Sequence, residues 1–500
     1  MTKFLFVILA SCFLISNGWA QKSQSKPNPP KPATAVELKK DNPEKYAFKV
    51  TLKNNKYSSG VAYLCFHMGK NLNIEDSAEI VNGVAEFKAD TLSPGGIYAI
   101  VFPGKSQTFD FFVSRGDTAI QLDADADRLQ DVKITGAPEN KLFQQYQAFV
   151  SQKGSILSAE RTAYQNSKTA ADSALHLETY NKNNQELISY RDQIMKDYPS
   201  SMMTAMLYAM KEPDILIKKP ITRQDTIDNY NAYKAHYWDG VTFMDERVIR
   251  TPFFLPKLER YYDEILQQAS DTIIQDLDYK LLLARSCQPL YRFMLNWLTD
   301  KYINPKIMGQ DAVFVHLFNK YHSKGLTYWL NEKQLETISR RAYMQMSNLI
   351  GAQAADLNMV DSTGKSKTLY NQAAEYTFVV FWDPTCGHCK EEIPRIDSFY
   401  RASWKAKGMK IYAVLSDNDK KTEWVNYLKE KKLSDWINVY ETKEVENQLT
   451  NSNQPSYKQL YDVIQTPTIF LLDKEKRIIA KKLGPQQIND LLKTKWANKK

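Results

Sequence analysis

Cys386-Gly387-His388-Cys389 is where chemistry is concentrated in this sequence: two thiols three positions apart with an imidazole between them. Thiol-disulfide exchange needs a thiolate that attacks and a second thiol that resolves the mixed disulfide. The spacing puts Cys389 within one helical turn of Cys386, so no loop has to close for resolution. An imidazole can be protonated near neutral pH, and a protonated ring at His388 is expected to lower a neighbouring thiol's pKa and make the couple more oxidising. Glu392 lies one turn beyond Cys389, where a partly desolvated carboxylate takes or returns the resolving thiol's proton; the alternative is an exposed helix carboxylate. Half a zinc site is a competing use of the pair. It lacks a second cysteine pair, and none of the six histidines offers paired ligand spacing nearby, so no metal and no cofactor is called for. A structural disulfide at this spacing would staple only one turn.

The elements that position these residues follow from the flanking pattern. Phe378-Val379-Val380-Phe381-Trp382 is an apolar run, and the dithiol comes after it at the start of a helical pattern. A sulfur at a helix N-terminus faces unpaired N–H groups and the positive end of the helix dipole, both of which favour the thiolate. Strand patterns at 376–382, 410–415, 468–472 and 477–481 alternate with helical ones at 386–407, 421–431 and 485–496. This predicts an α/β sheet with covering helices over 348–500. Pro394 removes a backbone donor inside the first of these helices and is expected to kink it.

Phe381-Trp382, the dithiol with Lys390, Pro394 and Thr466-Pro467-Thr468 together resemble the thioredoxin superfamily. Cys389-Lys390-Glu391-Glu392-Ile393-Pro394 is similar to the TlpA/ResA branch of envelope thiol-disulfide oxidoreductases. The resemblance implies a redox-active disulfide between Cys386 and Cys389 and makes Glu392 the active-site carboxylate. It also implies a cis-proline at Pro467 that, with Thr466, offers backbone groups to a substrate strand, and it places Trp382 and His388 among the substrate-binding and tuning residues. Thioredoxins usually carry a buried Asp six residues before the first cysteine; Val380 stands there, which moves proton handling toward Glu392. Extra residues around 424–455 are of the kind found in the TlpA/ResA and peroxiredoxin branches. A thiol peroxidase is therefore an alternative, although Pro384-Thr385-Cys386 lacks the peroxiredoxin spacing.

The whole is expected to be a multidomain α+β protein. Residues 1–20 read as a secretory signal, with Lys3 ahead of an apolar run and Gly18-Trp19-Ala20 at a cleavage site. Leu9-Ala10-Ser11-Cys12 offers lipoprotein anchoring at Cys12 as the alternative. Residues 21–44 form a Pro/Lys-rich linker. Short alternating runs over 45–136, with turn signals at Asn82-Gly83 and Pro94-Gly95-Gly96, predict a small antiparallel β-sandwich, and amphipathic helical patterns cut by prolines predict a helical domain over 137–347. These upstream regions resemble uncharacterised ones fused to such thioredoxin modules in bacterial envelope proteins. Cys65 fits a buried free thiol, and the sequence does not decide whether it pairs with Cys287.

The 66 Lys and Arg exceed the 57 Asp and Glu by 9 across 500 residues without a dominant basic block, so nucleic acid is not an expected partner. Expected partners are exported protein thiols and disulfides and a redox partner, in the periplasm or cell envelope, with membrane association only through the N-terminus. The alternative from another class is an envelope binding or adaptor protein that uses the thioredoxin module as a scaffold.

Overall fold

A computed structural model describes residues 47–105, 107–213 and 219–497. The signal segment 1–20, Cys12 and the 21–44 linker lie outside the described residues. The chain divides into two compact units, one reaching to Ile265 and the other starting at Leu266. The helical patterns expected as one domain over 137–347 are thus shared between the two.

In the first unit, β1 (Phe48–Asn54), β2 (Ser59–Met68), β3 (Asn71–Val81), β4 (Val84–Ala89), β5 (Gly96–Val101), β6 (Thr108–Val113), β7 (Ala119–Ala124) and β8 (Lys133–Thr135) form one sheet. Its order is β6-β5-β2-β3-β4-β1-β7-β8, and only β1 with β7 is a parallel pair. Alternation is visible in β7, where Ile120, Leu122 and Ala124 are buried and the residues between them exposed. Asn82 and Gly83 both take positive φ, 54° and 81°, the two-residue turn that matches the twist of paired strands. The sheet rolls over on itself. Phe48 of β1 and Tyr98 of β5 lie four places apart in it, about 19 Å if it were flat, yet their ring centroids are 6.3 Å apart. Helices Glu139–Asn166 and Ala170–Asp197 then form an antiparallel hairpin, the second capped by Thr169. Asn140 ties the hairpin to the sheet, accepting from the Phe112 N–H at 2.7 Å and donating to its carbonyl at 2.7 Å.

The second unit opens with helices Ser270–Ala284, Gln288–Tyr302, Asp311–Leu317 and Glu332–Met346. Its sheet comprises β9 (Asn358–Val360), β10 (Ser366–Thr368), β11 (Tyr376–Trp382), β12 (Met409–Leu415), β13 (Ile437–Tyr440), β14 (Thr468–Leu472) and β15 (Ile478–Lys481), in the order β10-β9-β13-β12-β11-β14-β15. Strands β11, β12 and β13 are parallel, and β14 runs antiparallel to β11. Every residue of β11 is buried, which is why its sequence is an apolar run without alternation. One face of it, with Phe378, Val380 and Trp382, packs on Cys389, Ile393 and Ile396; the other, with Val379 and Phe381, packs on Tyr457 and Tyr461.

The leading helices are joined to this sheet by buried charges. Lys481 Nζ donates to the Asp311 carboxylate and to the Asn348 carbonyl and side-chain oxygens, both at 2.7 Å. No helix among the described residues is long and apolar enough to cross a membrane.

Candidate active site

β11 ends at Trp382, and the chain turns through Asp383-Pro384-Thr385 before the helix Gly387–Phe399. The Asp383 carboxylate shapes that turn, accepting from the Thr385 N–H at 2.6 Å and hydroxyl at 2.7 Å. Cys386 is the N-cap, with extended backbone at φ −69° and ψ 129°, so its sulfur stands where the first-turn N–H groups lack helical partners. Its carbonyl accepts from the Lys390 N–H at 3.1 Å and starts the helix. Pro394 lies inside this helix.

The two thiols, both free, differ sharply. Cys386 is partly exposed, whereas Cys389 is fully buried under β11. Partial burial pushes the Cys386 thiol up, but hydrogen bonds from the Thr466 side chain, the backbone N–H groups of Cys389 and His388 and the Cys389 thiol outweigh it and hold Cys386 below its ordinary range. Burial pushes Cys389 up to about 12, and a charge on Cys386 adds to that. The two thiols are thus distinguished by solvent access and by acidity together.

The Thr466–Pro467 peptide is cis. Thr466 presents two groups to Cys386: its carbonyl accepts from the thiol at 3.4 Å, and its side chain supports the thiolate. Ile464, two residues earlier, is 65% exposed. Of the remaining residues expected here, His388 offers its backbone N–H to Cys386 while its ring is exposed. Trp382 is wholly buried in the core that holds Cys389, so it supports the dithiol from below and has no surface to offer a substrate. Glu392 is half-buried: Arg395 donates to one carboxylate oxygen at 3.2 Å, while the other is shut off from solvent and accepts nothing among the described residues. That orphaned oxygen is a free acceptor one turn from Cys389.

Tyr427 is a residue that sequence reasoning missed. It comes from the helix Lys421–Glu430, its ring meets Trp382 edge-on at 5.3 Å, and its hydroxyl is buried with no partner among the described residues. Burial pushes the Tyr427 hydroxyl's pKa up, and a charge on Cys389 adds to the effect. The repeat of Trp424, Tyr427 and Leu428 along one helix face was the available signal.

Residues 350–481 match the AhpC/TSA family, and residues 46–143 match a domain of unknown function, DUF4369. Among curated proteins, the thiol-disulfide oxidoreductases ResA of Bacillus thuringiensis subsp. konkukian and of Bacillus cereus are each 27% identical over 147 residues, 29% of this chain and 77% of theirs. Among solved structures, a domain of a possible thiol-disulfide isomerase from Cytophaga hutchinsonii is 34% identical, with 30% of this chain and 95% of that one covered at a TM-score of 0.26. A thioredoxin-like protein from Bacteroides caccae is 21% identical, with 57% and 98% covered at a TM-score of 0.44. Through its C-terminal domain the chain belongs to the thioredoxin superfamily, in the family of thiol-disulfide oxidoreductases.

Proposed function

We propose that the Cys386/Cys389 dithiol exchanges disulfides with exported protein substrates. Cys386, as thiolate, attacks one sulfur of a substrate disulfide; a mixed disulfide forms and the first substrate sulfur leaves as a thiolate that takes up a proton. Cys389 then gives its proton to Glu392 and attacks Cys386 Sγ. The Cys386–Cys389 disulfide forms, the second substrate sulfur leaves and is protonated, and two electrons have passed from the dithiol to the substrate. The reverse sequence oxidises a substrate dithiol. Thr466 and Pro467, beside Cys386, offer backbone groups to a substrate strand.

The observation that carries this reading is the asymmetry of the pair: a partly exposed sulfur held acidic beside a buried one pushed up to about 12. A thiol buried like Cys389 is almost wholly protonated near neutral pH, so the resolving step needs a base, and Glu392 has the free oxygen. The Cys386→Ser variant is expected to lose insulin-disulfide turnover; undiminished turnover would overturn the proposal. Export is supported by the N-terminal signal pattern, and fractionation of cells producing the full chain checks it, a cytoplasmic pool of uncleaved protein being the contrary result.

A further inference from the structure

Asp462 is an aspartate with a fully buried side chain, four residues before Thr466 on the chain that leads into the cis-proline. Its φ is +51°, in the left-handed region that Asp enters more readily than most non-glycine residues. Two cations hold its carboxylate. Lys482 Nζ donates to one carboxylate oxygen at 2.6 Å. Arg341 Nη1 donates to the other, and it comes from the helix Glu332–Met346, outside the thioredoxin-like sheet and 121 positions away in sequence. Arg341 is itself held: its Nε donates to the Ile303 carbonyl at 3.2 Å, and its side chain is 12% exposed. From the same side, Asn348 donates to the Leu460 carbonyl at 3.0 Å.

Covalent backbone carries the segment from Asp462 to Thr466, and separate hydrogen bonds hold it along the way. The Ile464 N–H donates to the Asp462 carbonyl at 3.1 Å, the Thr468 hydroxyl donates to the Gln465 carbonyl at 2.6 Å, and between them Thr466 meets the Cys386 thiol at 3.4 Å. A carboxylate this deeply buried is costly unless paired, so losing one partner releases a strong constraint on the segment that carries it. We propose that Arg341 is a positioning residue for the exchange reaction: through Asp462 it fixes the 462–466 segment, and thereby sets how Thr466 supports the Cys386 thiolate and receives substrate. The inference rests on the dithiol being the exchanging site. It gives the helices ahead of the sheet a part in the chemistry without their touching the reacting sulfurs.

The test compares Arg341→Gln, Arg341→Lys and the unchanged full-length protein, all reduced. Iodoacetamide labelling of Cys386, followed by mass spectrometry across pH, reports the thiolate directly; insulin reduction gives kcat and KM separately. In Arg341→Gln the labelling midpoint is expected to rise by about half a pH unit and kcat/KM to fall about tenfold, carried mainly by KM. Arg341→Lys, which keeps the charge, is expected to recover most of both. A folded Arg341→Gln protein with an unchanged midpoint and KM would overturn the proposal, whatever its melting temperature. Should that variant not fold, Asp462→Asn, which loosens the same link while keeping Arg341, is expected to show the same displacement, and its absence would be equally decisive. If the unchanged protein does not reduce insulin, the exchange reading fails, while the Cys386 midpoint still reports on Arg341.

Discussion

In the proposed exchange, Cys386 and Glu392 are where single atoms decide the chemistry. Because Cys386 is held below the ordinary thiol range, its alkylation is expected to reach half-maximum at a lower pH than that of a free cysteine, whereas Cys389 stays unlabelled in folded protein. Replacing Glu392 by Gln removes the proposed base but keeps the shape. The mixed disulfide at Cys386 is then expected to decay about 10²-fold more slowly, which acid-quenched samples on non-reducing gels would measure; an unchanged lifetime would assign the proton to another group, with Tyr427 the next to test. Cys386 and Cys389 stand out in the sequence because thiols are rare and one helix constrains their spacing, whereas the expectations for Glu392 and Thr466 rested mainly on the family resemblance. Tyr427, Arg341 and Asp462 do not stand out. Their residue types are common, and what makes them matter is a partner tens of residues away.

Among the elements, strands buried on both faces announced themselves: β11 and β14 fall at 376–382 and 468–472 as expected, since their apolar runs have no other stable placement. The strand β13 and the helix Lys443–Asn451 were not foreseen. β13 is only four residues long, and its place between β12 and β9 is set by pairing that no local pattern encodes. Glu441 follows β13 directly and is 6% exposed. Burial, with Glu446 adding to it, pushes its carboxyl up to about 7. A carboxyl raised on folding supports stability below its unfolded value near 4.3 and loses that contribution as pH rises through 7. Glu441→Gln is therefore expected to match the unchanged protein near pH 4 and to exceed it by up to about 3 to 4 kcal/mol at pH 8. Urea unfolding at both pH values checks this, and a constant gap would place the cause elsewhere.

For the molecule as a whole, the helical pattern over 137–347 correctly announced helices but not their allegiance. Periodicity says that a face is buried, and not against what. In the second unit Lys481 bonds Asp311 and Asn348, linking the leading helices to the last strand of the sheet. Lys481→Met strands the Asp311 carboxylate in the interior and is expected to cost about 3 kcal/mol. Lys481→Met combined with Asp311→Leu is expected to recover most of that, as removal of a buried pair in full often does. Denaturant unfolding of the three proteins measures both; a double variant as weak as the single one would show that the contact matters for its geometry and not its charge.

The burial of Cys389 also bears on survival under oxidative stress. A peroxide that reaches this motif meets Cys386 first and leaves a sulfenic acid there. Cys389, one turn below and shielded from the oxidant, condenses with it, releasing water and leaving an ordinary disulfide that a reductant can reopen. The second thiol thus acts as a safeguard against irreversible damage to the first. A Cys389→Ser protein treated with hydrogen peroxide should accumulate sulfinic acid at Cys386, where the intact pair stops at the disulfide.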